Sequence, residues 1–165
     1  MEGKKSKPRA LLIFGAPCSG KTTFSERFAH KFELAYFNLD ELKTQNRLTR
    51  KNILLMVDVL ARTKKDLILE GGIDTEKERT EVRNILRAAG YEPTLVWIQT
   101  DLATIRLRMK MRHRSISMAR KAYDAAVANL EAPTDVEKPI ILSGKHTFDT
   151  QTKHILSGLA TIEQK

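Results

Sequence analysis

Ala10-Leu11-Leu12-Ile13-Phe14-Gly15-Ala16-Pro17-Cys18-Ser19-Gly20-Lys21-Thr22 is the stretch whose reading decides the fold. Its first five residues are a continuous apolar run stopped by Gly15, the pattern of a strand buried on both faces. Beyond Lys21, Phe24, Phe28 and Phe32 recur at every fourth position with Ala29 beside them, which sets three rings on one face of a helix against a sheet. Between strand and helix, Gly15 to Thr22 has the spacing of a Walker A loop. Backbone N–H groups wrap a polyphosphate only where close approach meets no Cβ, and Gly15 and Gly20 satisfy that demand. The helix N-terminus adds partial positive charge, Lys21 is placed to neutralise the β and γ phosphates, and the Thr22 hydroxyl is placed to ligate Mg²⁺. The loop from Gly15 through Ala16, Pro17, Cys18, Ser19, Gly20, Lys21 and Thr22 to Thr23 therefore predicts a nucleoside triphosphate and Mg²⁺ as ligands.

Outward from this loop, strands and helices alternate. Leu34 to Leu39 predicts a second strand ending at Asp40, and Thr49 caps a helix running through Ile53, Val57 and Leu60 to about Lys64. Asp66 to Gly72 reads as the third strand, and Thr75 with Glu78 has capping-box spacing ahead of the stripe Val82, Ile85, Leu86 and Ala89, which Gly90 stops. Pro93 to Gln99 is the fourth strand, with Asp101 capping the basic helix that follows and a further helix from Ala119 to Leu130. The last strand lies at Ile140 to Leu142 or at Thr147 to Asp149, the later position being preferred, and Ile155, Leu156, Leu159 and Ile162 mark a closing helix. The expected fold class is α/β: a three-layer P-loop architecture with a five-stranded parallel sheet and functional groups at the carboxyl ends of the strands.

A chain of 165 residues suits one domain, from residue 10 to 165, behind a basic tail at residues 1–9. Its apolar content is 41% and its charged content 30%, and no apolar run nears the roughly eighteen residues of a membrane span. Cytoplasmic location is the expectation. A single cysteine, Cys18, excludes an intramolecular disulfide and a multi-cysteine zinc site; its roles are a small filler or a thiol acidified by the helix N-terminus. The net charge of +9 points to an anionic partner, and its cations gather in the tail (Lys4, Lys5, Lys7, Arg9) and between Arg106 and Lys121.

Among P-loop classes, GTPases need a guanine-reading Asn-Lys-x-Asp stretch, which is missing, and transporter ATPases need a signature sequence and a larger domain. Ring-forming ATPases end the third strand in Asp-Glu, whereas this one ends Glu70-Gly71-Gly72. A compact kinase remains. Arg108 and Arg112, one helical turn apart, have the arrangement of lid arginines closing over a transferred phosphoryl group from a lid at about residues 101–122; a solvated or RNA-contacting face is the other reading. Glu70 either holds a magnesium-bound water or is a structural carboxylate bonded to backbone, and Gly71 and Gly72 let a substrate approach the chain.

The Walker loop, the segment Asp40-Glu41-Leu42-Lys43, the arginines Arg108 and Arg112, and Leu130-Glu131-Ala132-Pro133 together resemble the AAA-domain family of small P-loop kinases. The order is also similar to the 5′-hydroxyl kinase domain of polynucleotide kinases and, more loosely, to zeta toxins. The likeness spans roughly residues 10–160, with the Walker loop its most specific part. It implies ATP as the nucleotide and Asp40 as the general base that takes the acceptor's proton; the alternative for Asp40 is capping the helix that follows. At Lys43 the polynucleotide kinases carry an arginine that grips the acceptor, and the lysine here offers a point charge instead. Arg47 and Arg50 either supply that grip or form a solvated face. The expected function is ATP- and Mg²⁺-dependent transfer of the γ-phosphoryl group to a hydroxyl. The alternative is a nucleic-acid-binding ATPase or nucleotide-dependent switch, with nucleic acid as partner.

Overall fold

A computed structural model describes residues 7–112 and 115–163, so the tail cations Lys4 and Lys5 and residues 113–114 of the expected lid lie outside the described residues. Five strands, β1 (Arg9–Phe14), β2 (Ala35–Asn38), β3 (Leu67–Glu70), β4 (Glu92–Gln99) and β5 (Ile140–Ser143), form one parallel sheet in the order β2-β3-β1-β4-β5. All four pairings are parallel. The chain moves to one side of β1 for β2 and β3 and to the other for β4 and β5. The crevice at the carboxyl end of β1 is therefore the topological switch point.

Side chains alternate across the sheet. Leu11, Ile13, Ile68, Val96 and Ile98 pack on Phe24, Phe28 and Ala29 of α1 (Lys21–Phe32) and on Ile155 of α7 (Phe148–Glu163). On the other face Leu12, Phe14, Leu69 and Leu95 pack on Ile53, Val57 and Ala61 of α3 (Arg50–Ala61) and on Val82 and Leu86 of α4 (Glu76–Ala88). Coverage on both faces is why β1 and β3 read as unbroken apolar runs. Capping boxes start α3 at Thr49 with Asn52, and α4 at Thr75 with Glu78. The two remaining helices downstream, α5 (Leu102–Arg112) and α6 (Ile116–Val127), pack on each other and touch the Gly15 loop through a small apolar cluster of Ile105, Met109, Ala16, Cys18 and Tyr123. The helix α6 starts at Ile116 and ends at Val127, not Ala119 to Leu130, because Ser115 accepts from the Met118 N–H and caps it.

Two further expectations are corrected. The last strand is β5 at Ile140–Ser143, in register with Val96 to Gln99, and not Thr147 to Asp149. Ile140 and Leu142 are buried while Ile141 between them is exposed, so this edge strand shows alternation and no apolar run. Thr147 instead accepts from the Thr150 N–H and opens α7. The second strand also ends earlier than expected, at Asn38, because a short helix α2 (Leu39–Gln45) begins there. The Asn38 side chain accepts from the Glu41 N–H and caps it, and Leu39 turns into the core.

Candidate functional site

At the carboxyl end of β1 the chain turns through Gly15 at φ 146° and Gly20 at φ 107°, both outside the comfortable range of side-chain-bearing residues. A Cβ on Gly15 would overlap the Ile98 carbonyl oxygen, so the loop packs directly on the end of β4. Cys18 also takes a left-handed conformation, φ 59°. Lys21 reaches back across the loop, its Nζ donating to the carbonyls of Gly15 at 2.8 Å and Ala16 at 3.1 Å. Its ammonium is thus held against the Gly15–Ala16 end of the loop. Ser19 is fully buried, and its hydroxyl has no hydrogen-bond partner among the described residues.

Thr22 Oγ1 donates to Glu70 Oε1 at 2.6 Å, and the Tyr36 hydroxyl donates to Glu70 Oε2 at 2.7 Å. Glu70 is 3% exposed, and its hydrogen bonds come from side chains, which corrects the reading of a carboxylate bonded to backbone. Burial, reinforced by Glu70, pushes the Tyr36 phenol well above the ordinary tyrosine range, so it stays a donor. Among the described residues no cluster of three or more His, Cys, Asp or Glu side chains could hold a metal alone. Mg²⁺ fits Thr22 with nucleotide oxygens as the remaining ligands: the Thr22 proton is committed to Glu70, which leaves the oxygen lone pairs for a cation.

Asp40 stands in the first turn of α2 with one side exposed, and its Oδ1 accepts from the Gly72 N–H at 2.9 Å. The cap of this helix is Asn38, not Asp40, so the capping alternative is corrected. A Cβ on Gly71 would overlap Asp40 Oδ2, and Gly71 and Gly72 both have positive φ, so the carboxylate lies against bare backbone. Burial raises the Asp40 pKa, opposed by the Gly72 N–H and the Lys21 ammonium. Arg50 is committed elsewhere: it donates to the Gly72 carbonyl, to the Glu78 carbonyl at 3.1 Å and to Glu81 Oε2 at 3.0 Å, pinning the glycine turn. Lys43 and Arg47 are exposed, Lys43 near enough to act on the Asp40 charge and Arg47 in a left-handed turn at φ 51°.

Arg108 of α5 donates to the Cys18 carbonyl at 3.0 Å and to the Gly144 carbonyl at 2.9 Å. A Cβ on Gly144 would overlap the Ser19 carbonyl oxygen, so the β5–α7 turn seats on the Gly15 loop. Beside this contact is a cavity of about 460 Å³, bordered by Gly20, Thr23, Arg27, Arg108, Arg112 and Phe148. Arg27 lies 4.2 Å over the Phe148 ring. A larger hollow of about 690 Å³ over Trp97 and Ile141 meets the loop at Ala16 and lacks Lys21, Thr22 and Asp40. Arg106 is exposed on another side of α5.

Sequence reading passed over Tyr36, Asp74, Arg27, Phe148 and Gly144. Burial and then the Asp40 charge push Asp74 up to about 6. Its place just beyond Gly72 was the signal that could have drawn notice; Tyr36 and Gly144 act through contacts distant in sequence and carry no local signal.

The family model described as an AAA domain matches residues 11–133. No curated protein matches the chain. Among solved structures, a sugar kinase from Janibacter sp. HTCC2649 is similar with 19% identity and a TM-score of 0.70, covering 93% of this chain and 95% of its own. A gluconokinase from Sinorhizobium meliloti 1021 has 16% identity and a TM-score of 0.71 over 96% of this chain and 95% of its own. The Mycobacterium tuberculosis APS kinase in complex with AMPPNP and APS has 15% identity and a TM-score of 0.69 over 93% and 98%. At such identities these likenesses establish the shared fold.

Proposed function

Since this chain belongs to the AAA-domain family, we propose that it is a P-loop phosphotransferase that moves the γ-phosphoryl group of ATP to a hydroxyl. The observation that carries this reading is the Asp40 carboxylate, held by the Gly72 N–H beside the ammonium of Lys21 at the carboxyl end of the sheet. A nucleotide switch without a phosphoryl acceptor needs no general base, which is the role proposed for Asp40. The nucleotide's phosphates lie in the backbone of Gly15, Ala16, Pro17, Cys18, Ser19 and Gly20, with Lys21, Thr22 and Thr23 at the helix start. Its base enters the cavity between Arg108 and the pair Arg27 and Phe148. AMPPNP in the similar APS kinase structure supports a nucleotide ligand.

In the transfer step the acceptor oxygen bonds to the γ phosphorus, the bond from that phosphorus to the β–γ bridging oxygen breaks, and ADP leaves. Asp40 receives the acceptor's proton. Lys21 meets the charge on the equatorial oxygens from the loop; Arg108, which in the structure donates to the Cys18 and Gly144 carbonyls, and Arg112 meet it from the other side when the lid at residues 101–122 closes. Mg²⁺, when bound, neutralises charge on the β and γ phosphates; Thr22 ligates it and Glu70 orients Thr22. Lys43 and Arg47 line the acceptor side. Among the described residues no helix is long and apolar enough to cross a membrane.

A second reading, a nucleic-acid-binding ATPase or switch, draws on the exposed cations Arg106, Lys110, Arg120 and Lys121 of the α5–α6 hairpin. One assay separates the two. γ-labelled ATP and Mg²⁺ are offered with nucleosides, sugars, aminoglycosides or 5′-hydroxyl RNA to the wild type and to Asp40→Asn, with free phosphate followed in parallel. Label reaching one acceptor class in the wild type alone is expected. Free phosphate without transfer, stimulated by RNA in a salt-sensitive way, overturns the kinase reading.

A further inference from the structure

We propose that Tyr36 is a positioning residue for the metal–nucleotide site, holding Glu70 so that Glu70 in turn holds Thr22; this rests on the reading of Gly15 to Thr22 as an Mg²⁺–nucleotide loop. Glu70 is almost fully buried, and each of its two oxygens accepts one hydroxyl proton, from Thr22 at 2.6 Å and from Tyr36 at 2.7 Å. The three groups come from three elements: Thr22 from the start of α1, Tyr36 from β2 and Glu70 from the end of β3. They meet because β2 pairs with β3 in the register Tyr36 with Ile68 and Asn38 with Glu70.

A hydroxyl has one proton and two lone pairs. Once the Thr22 proton is given to Glu70, only lone pairs face the phosphate loop, which is what a hard cation requires of an oxygen ligand. That orientation is only as firm as the carboxylate that receives the proton, and the last torsion of a glutamate is soft. Tyr36 removes this freedom by fixing the second oxygen. Glu70 therefore serves the cation through Thr22, with Tyr36 behind it, and the whole chain of contacts sets how tightly the metal is held. Phenylalanine at position 36 fills the same space and leaves a buried carboxylate oxygen without its donor.

Binding of the slowly hydrolysed analogue ATPγS is measured by calorimetry for wild type, Tyr36→Phe, Glu70→Gln and the double variant, without metal and across a Mg²⁺ titration, with thermal melts on the same samples. Metal-free affinity of Tyr36→Phe is expected to stay within about twofold of wild type, because the backbone loop, Lys21 and the Glu70 charge are untouched. The Mg²⁺ concentration for half-maximal tightening is expected to rise about tenfold or more in Tyr36→Phe. The double variant is expected to be no weaker for Mg²⁺ than Glu70→Gln, since both changes remove one constraint. An unchanged Mg²⁺ response in folded Tyr36→Phe overturns the proposal, and so does an additive loss in the double variant. If Tyr36→Phe does not fold, Glu70→Gln decides alone: an amide cannot accept from both hydroxyls through two oxygens, and a wild-type Mg²⁺ response there overturns the proposal. A wild type whose ATPγS affinity ignores Mg²⁺ overturns the metal–nucleotide reading and this proposal together.

Discussion

Gly71 lacks a side chain where the Asp40 carboxylate lies, and that packing sets the chemistry available to Asp40. Because burial raises its pKa, Asp40 takes up a proton more readily than a solvated aspartate and is a better base at neutral pH. Asp40→Asn is expected to lower turnover by about a hundred- to ten-thousand-fold in the labelled-phosphate assay, while ATPγS affinity stays near wild type. Asp74 next to it has a cost that shows in stability. Its pKa of about 6 in the folded chain exceeds the value of about 3.9 for an unfolded aspartate, so the folded state binds the proton more tightly. The resulting stabilisation is complete below the unfolded value and is lost as pH rises through about 6. Asp74→Asn is therefore expected to raise the melting temperature at neutral and higher pH and to change it little near pH 4, which melts across a pH series will check.

Between elements, the Gly15 loop is clasped from outside by the β5–α7 turn and by α5. Gly144 presses on the Ser19 carbonyl, and Arg108 joins the two carbonyls of Cys18 and Gly144. A methyl group at position 144 meets backbone, which does not yield as a flexible side chain would. Overpacking of this kind typically costs about 1–3 kcal/mol, so Gly144→Ala is expected to weaken ATPγS binding by about tenfold or more through displacement of the loop, measured by calorimetry. Arg112, four residues beyond Arg108, is exposed at the rim of the same cavity. Arg112→Ala is expected to lower turnover by about tenfold or more with less than about twofold change in ATPγS affinity, because its partner forms only when phosphoryl charge develops. Unchanged turnover assigns Arg112 to the solvated surface of the hairpin.

Across the whole molecule, Arg79 ties the segment after α6 to α4 and to the turn that precedes it. It is fully buried, pairs with Glu137 at 2.7 and 3.0 Å, and donates to the carbonyls of Asp74 and Glu131. Removing one charge of a buried pair typically costs about 3–5 kcal/mol, so Glu137→Gln is expected to lower stability by that order in denaturant titration. The strands β1, β3 and β4, the Walker loop and the helices α1, α3 and α4 were all legible in the sequence. Their signals are local: unbroken apolar runs, a fourfold spacing of rings, and caps within three residues of each other. Short elements were not. Asn38 could be read as the end of a strand as easily as a helix cap, and β5, buried on one face at the sheet edge, has too few apolar residues for a run. By itself the sequence determined a phosphate-binding loop between a buried strand and a helix, and with it the class of fold, because that motif depends on neighbouring residues alone. Only the tertiary structure decided that Glu70 is held between Thr22 and Tyr36, that Asp40 rests on the Gly71–Gly72 turn, and that Arg108 and Gly144 clasp the loop. The hydrogen bonds among those contacts join residues 32 to 90 positions apart, and strand register and helix packing, which no local pattern encodes, bring them within reach.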